Sequence, residues 1–261
     1  MARYDSGARP IRSPDGVQHP TWRFNLMQLV FEPLDPPSVA IVGDTRRFPV
    51  GRIFCVGRNY AAHAREMGKD PDREAPFFFT KFGSAAVQGG GIVPYPPQTT
   101  NYQYEGELVV AIGKEGAALG KAHALDIVYG YAAGLDMTRR DLQLEAREKG
   151  RPWDMGKNFA WSAPVGPIRP VESHGHATAG AIRLSVNGEI KQSADLGELL
   201  WSCAELISHL SHFERLLPGD LIYTGTPAGV GAVRTGDIIE VTIEGLEPLS
   251  VTIGGPEPKS V

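Results

Sequence analysis

The chain is expected to fold as a β-rich α+β protein. Three observations predict this. Gly and Pro account for 31 and 21 of 261 residues, so turns are frequent. Most apolar runs are short and end at Gly, Pro, Asn or Asp, which suits strands better than a helical bundle. Only one long stretch, 194–210, carries apolar residues at a three-and-four spacing. The length allows one large domain with a small appendage, and a boundary is placed between an N-terminal segment, 1–50, and a main domain, 51–261.

Composition narrows the function. The chain is 42% hydrophobic and 21% charged with a formal net charge of −4. Nothing in that balance points to nucleic acid or to an anionic membrane surface. No apolar run reaches bilayer length, and the polar N-terminus lacks an apolar signal core, so a cytoplasmic protein is expected. Cys55 and Cys203, far apart within apolar patterns, are read as buried reduced thiols.

In chain order, 1–22 is rich in Arg, Pro, Asp and Gly and reads as a loosely docked tail. A first strand is expected at 22–30, broken by Leu34-Asp-Pro-Pro37. A strand, a Gly43-Asp44 turn and a returning strand follow at 39–50. Arg52–Val56 is a short buried strand. Tyr60–Met67 is helical, stopped by Gly68, and 60–76 is read as a mobile lid. His63 and Glu66 share a face of that helix at i,i+3. They are either a surface pair or a general base whose imidazole is oriented by a carboxylate. The apolar strand 76–83 carries Lys81, which either snorkels to water or meets an anion.

Tyr104–Ile112 reads as a strand in which Glu105 and Glu107 precede an apolar run. Side chains two apart on a strand face the same way, roughly 7 Å apart along the chain. Such a pair is either solvated on an edge strand or held together by a hard cation among oxygen ligands. The next strand, 124–136, ends at Asp136, and 137–149 is read as a helix stopped by Gly150 and Pro152. Asp136 suits a metal ligand or an N-cap. Arg140, Gln143 and Arg147 share one helical face, either solvated or lining a site for an anionic substrate. The loop 151–159 delivers Lys157.

Ile182–Val186, Asn187-Gly188 and Glu189–Gln192 form a hairpin with a type I′ turn. The 194–210 stretch is read as a core helix, with His209 and His212 on the surface near its end. His174 and His176 receive no role. Leu217–Gly231 is a turn, a strand and a Gly-rich loop that is neither a Walker A nor a dinucleotide fingerprint. Its backbone amides suit a carboxylate. Closing strands are expected at 236–241 and 249–253. The chain has no Gly-x-Ser-x-Gly, no His-Glu-x-x-His and no Cys-x-x-Cys.

Six segments, in order, resemble the fumarylacetoacetate hydrolase family: Val56–Glu66, Tyr104–Leu108, Gly134–Gln143, Gly156-Lys157, Val186–Gly188 and Leu217–Gly231. The resemblance spans roughly 50–255. One departure is Phe82, where the family usually has Pro after the lysine. The segments 70–74, 150–154 and 162–167 are most similar to members that cleave fumarylpyruvate in aromatic degradation. The resemblance implies a mixed β-roll, barrel-like, with a few short helices and one core helix, assembled as a homodimer. It implies that Glu105, Glu107 and Asp136 bind Mg²⁺ or Mn²⁺. His63 with Glu66 would activate water, and Lys157 and Gln143 would contact the reacting oxygens. Tyr60, Arg140, Thr226 and Lys81 would contact the substrate. The implied reaction is hydrolysis of a carbon–carbon bond in a 2,4-dioxo acid. Decarboxylation of oxaloacetate and a non-catalytic binding protein are the alternatives.

Overall fold

The computed structural model describes residues 30–32, 34–66 and 74–256. The chain forms two compact units, 1–35 and 36–261. All regular secondary structure among the described residues belongs to the second. The tail 1–22, Gly68 and the middle of the expected lid lie outside the described residues, as does the expected strand 22–30 apart from Val30, which is in a bend. The strands Ser38–Ile41 and Asp44–Pro49 form their hairpin in the larger unit. Val39, Ile41, Phe48 and Val50 are buried in one cluster with Ile53, Cys55 and Leu221.

A mixed sheet carries the fold. Its order is Phe78–Phe82, Arg52–Val56, Leu221–Tyr223, Gly106–Ile112, Val128–Leu135, Ala163–Val165 and Ala86–Gln88, with Arg169–Pro170 also paired to Val128–Leu135. Strand alternation divides its side chains between two hydrophobic clusters. Phe54, Leu108, Val110, Ile112 and Ile222 enter one cluster, which also holds Leu184, Val241 and Val251 of a five-stranded antiparallel-rich sheet. Ile53, Cys55, Val109, Ala111, Leu221 and Tyr223 enter the other. Gly106–Ile112 is buried at every position because sheet neighbours flank it and both faces are covered.

The Asn187-Gly188 turn has φ of 52° and 83°, as a type I′ hairpin requires. Three expected elements are shorter than their patterns. The 194–210 helix is Cys203–Ser211 only, because Glu189–Asp195 continues as a strand and Leu196–Glu198 makes a single turn. Asn59 explains the late start. Its carbonyl and Oδ1 accept from the amides of Leu200 and Trp201 at 2.8 and 2.7 Å, which takes those amides away from a helix. Ser202 then opens the helix through a capping box with Glu205. The 137–149 helix begins at Arg140, because Thr138–Arg139 pairs with Tyr102–Tyr104. The 124–136 strand begins at Val128, after a 3₁₀ segment, Lys121–Ile127.

Candidate active site

Glu105 lies where the chain passes from strand Tyr102–Tyr104 of a small sheet to Gly106–Ile112 of the main one. The edge-strand reading of the two glutamates fails. Glu105 and Glu107 are 5% and 1% exposed, beside a central strand. Asp136 follows Val128–Leu135, the neighbouring strand, and its amide donates to the Glu105 carbonyl at 2.8 Å. One carboxylate oxygen from each of Glu105, Glu107 and Asp136 falls within 4.8 Å of the others.

Three cations surround this cluster. Lys157, on the short helix Asp154–Lys157, donates to Glu105 Oε2 at 2.6 Å, Asp136 Oδ2 at 2.8 Å and Thr138 Oγ1 at 2.8 Å. Arg140 donates to Glu105 Oε1 at 2.5 Å. Lys81 Nζ is 2.9 Å from Asp136 Oδ1, outside hydrogen-bonding geometry, and donates to the carbonyl of Lys157 and to Ser162 Oγ. Burial alone would raise the Glu105 carboxyl, but Lys157 and Arg140 hold it well below its usual range. Burial would likewise discharge Lys157, yet Asp136 and Glu105 keep its pKa above the ordinary lysine value. Glu107 differs. Its one protein hydrogen bond among the described residues comes from the Gly225 amide at 2.7 Å, and none of those residues forms an ion pair with it. Burial, then Asp136 and Glu105, push its pKa well above the carboxylate range. An all-oxygen, buried donor set in which Glu107 has no cationic partner among the described residues fits a hard divalent cation such as Mg²⁺ or Mn²⁺.

His63 and Glu66 sit on the helix Ala61–Glu66, with Nδ1 of the imidazole 3.1 Å from Glu66 Oε2. His63 is 4% exposed, so the surface-pair reading fails for the imidazole. The amide of Gly229 donates to both Glu66 oxygens at 3.1 and 3.2 Å. The Gly-rich loop therefore does hold carboxylates, those of Glu107 and Glu66. A cleft lined by His63, Glu105, Arg140, Gln143 and Lys157 brings together the imidazole, one carboxylate of the acidic cluster and two of its cations.

The remaining expected residues divide. Gln143 accepts from Arg140 at 2.7 Å on the cleft wall. Lys157 lines the cleft, but its three donors are directed at protein oxygens. Tyr60, Thr226 and Lys81, expected at the substrate, are not in the cleft lining. The Tyr60 hydroxyl is buried without a hydrogen-bond partner among the described residues. Thr226 Oγ1 donates to the Gly106 carbonyl and accepts from Gln192. Lys81 is buried behind Asp136.

Residues 52–254 match the family model described as fumarylacetoacetate (FAA) hydrolase C-terminal. The chain belongs to the fumarylacetoacetate hydrolase family. A fumarylpyruvate hydrolase from Ralstonia sp is 50% identical over 193 residues, covering 73% of this chain and all of the relative. A mitochondrial oxaloacetate tautomerase of Homo sapiens is 40% identical over 205 residues, covering 78% of this chain and 92% of the relative. The crystal structure of fumarylpyruvate hydrolase from Pseudomonas aeruginosa in complex with Mn²⁺ and pyruvate superposes with a TM-score of 0.86 at 52% identity, covering 88% of this chain and 100% of that one. The β-rich family fold expected from the sequence is the fold observed.

Within this family fold, sequence reasoning passed over several cleft residues. Arg58, Phe79 and Trp153 line the cleft without having been singled out for it. Arg147 also lines it, in keeping with the face it shares with Arg140 and Gln143. Gln192 carries no sequence signal. It is buried, accepts from the Gly106 amide at 2.9 Å and donates to Thr226 Oγ1 at 2.8 Å and the Pro227 carbonyl at 2.7 Å. It thereby ties the peptide between the two glutamates to the Gly-rich loop.

Proposed function

We propose that the chain is a divalent-cation-dependent hydrolase that cleaves the carbon–carbon bond of fumarylpyruvate, giving fumarate and pyruvate. One observation carries this reading: the buried Glu105, Glu107 and Asp136 cluster reaches, through Glu105, the cleft lined by His63, whose imidazole pairs with Glu66. Mg²⁺ or Mn²⁺ on those three carboxylates would supply Lewis acidity toward the oxygens of a 2-oxo acid.

The protein groups perform the rest. His63 takes a proton from water, and Glu66 stabilises the imidazolium. The water oxygen bonds to C4 of the 2,4-dioxo acid, the C3–C4 bond breaks, and its electron pair remains on C3. The proton held by His63 goes to C3, so water is added across the bond. Lys157 keeps Glu105 ionised and holds Glu105 and Asp136 in place, and Gln143 with Arg140 shapes the wall where the reacting oxygens sit. Charge supports a dianionic substrate. Lys81, Lys157 and Arg140 balance the three carboxylates, so a bound divalent cation leaves the site positive.

The relatives named as oxaloacetate tautomerases support a second reading, proton transfer at C3 of oxaloacetate without bond cleavage. A panel of fumarylpyruvate, acetylpyruvate and oxaloacetate, assayed with Mn²⁺, Mg²⁺ and EDTA, separates the readings. Fumarate and pyruvate are expected as products, with activity lost in EDTA. Enol–keto exchange of oxaloacetate without acylpyruvate cleavage would favour the tautomerase.

A homodimer and a cytoplasmic location belong to the same proposal. Light scattering measures the self-association. No helix among the described residues is long and apolar enough to cross a membrane.

A further inference from the structure

The cations of the cleft are not equivalent. Arg140 is committed to protein: Nε donates to Gln103 at 2.8 Å, and the other two nitrogens to Gln143 and Glu105. The guanidinium groups of Arg58 and Arg147 have no hydrogen bond or ion pair to a protein oxygen among the described residues, yet both line the cleft. Arg58 lies over the Phe77 ring at 5.4 Å and is half-buried, whereas Arg147 is exposed. Arg147 is seven residues after Arg140 on the helix Arg140–Glu148, which is an axial separation of about 10 Å. Phe79 and Trp153, 5.7 Å apart between ring centroids, supply an apolar wall in the same cleft.

An uncommitted guanidinium on an apolar wall recognises a carboxylate attached to a flat carbon chain, and it does so with two parallel hydrogen bonds. We infer that Arg147, assisted by Arg58, forms a subsite for the distal carboxylate of the acyl group, with Phe79 and Trp153 against the conjugated chain. The subsite selects acylpyruvates that end in a second carboxylate over those that end in a methyl group. This inference rests on the hydrolase reading for its substrate but not for its chemistry, because any dicarboxylate of that length would be held in the same way.

The test uses Arg147→Met and Arg147→Lys in the Mn²⁺-loaded protein. The exposed position makes both compatible with folding. For Arg147→Met, kcat/KM on fumarylpyruvate is expected to fall about ten- to a hundredfold, mainly through KM. Acetylpyruvate, which lacks the distal carboxylate, is expected to lose at least about tenfold less. Arg147→Lys restores part of the loss. Equal losses on the two substrates, or no loss on fumarylpyruvate, overturn the subsite. Cleavage of neither acylpyruvate by the wild type would defeat the hydrolase reading alone. Calorimetry then decides the subsite: fumarate is expected to bind more tightly than crotonate, and Arg147→Met to remove the difference. Equal or absent binding of the two acids by the wild type would overturn it.

Discussion

Nδ1 of His63 stands 3.1 Å from Oε2 of Glu66, on a helix of six residues whose imidazole is buried and whose carboxylate is half-exposed. That contact orients the ring so that its other nitrogen is free for a proton.

On this basis His63→Ala should lower kcat on fumarylpyruvate by about 10²–10⁴-fold, the usual contribution of a positioned base. Mn²⁺ affinity, read by calorimetry, should be retained. An unchanged kcat would remove His63 from the reaction.

Glu107→Gln should behave in the opposite way. Glu107 lacks a cationic partner among the described residues, so its carboxylate is costly in the metal-free fold. The neutral amide should leave the metal-free melting temperature unchanged or raised, and the rise on adding Mn²⁺ should be lost. Mn²⁺ affinity should drop by more than about 100-fold, beyond the usual effect of an outer-shell change. A variant that keeps a wild-type Mn²⁺ response would exclude Glu107 as a ligand.

Lys157→Met removes the ammonium that donates to Glu105 and Asp136. Breaking a buried pair on one side typically costs about 3–5 kcal/mol. Urea denaturation in EDTA should show a loss of that order, with Mn²⁺ recovering part of it by replacing positive charge. A loss below about 1 kcal/mol would place Lys157 among the weakly coupled surface pairs.

Cys203, the first residue of the helix Cys203–Ser211, has its thiol pushed up to about 12 by burial. In the unfolded chain it ionises near 9.0. Above that pH the unfolded state has lost a proton that the folded state keeps, so stability falls as pH rises. The contribution is fully present below 9.0 and gone once pH passes about 12. Cys203→Ala should show a shallower alkaline decline in denaturant titrations, and the native protein should resist alkylation at pH 8. Rapid labelling of Cys203 there would contradict its burial.

Much of the site was legible in the sequence because its charges interrupt apolar patterns. Glu105, Glu107 and Asp136 stand at the ends of buried runs, where a carboxylate without a purpose is expensive. The commitment of Arg140 to Glu105 was not legible, since it depends on a ladder that joins Thr138–Arg139 to Tyr102–Tyr104. Nor was the shortened helix after 194. Its three-and-four pattern is present, but Asn59, some 140 residues earlier in the chain, takes the amides that the helix would have used. Gln192 looks like an ordinary strand polar residue until the fold turns it inward.

Gly225 and Gly229 grip Glu107 and Glu66 through main-chain amides, at φ of 98° and 99°. A β-carbon at either would collide, with Asn59 in one case and the Lys191 carbonyl in the other. The anchor thus has no side chain of its own. Truncating the side chains around that bend would leave both grips intact and make the segment look dispensable. Only altering the peptide itself, by an ester bond in place of the amide or by a bulkier residue at a glycine, would reveal that Glu107 and Glu66 share one support.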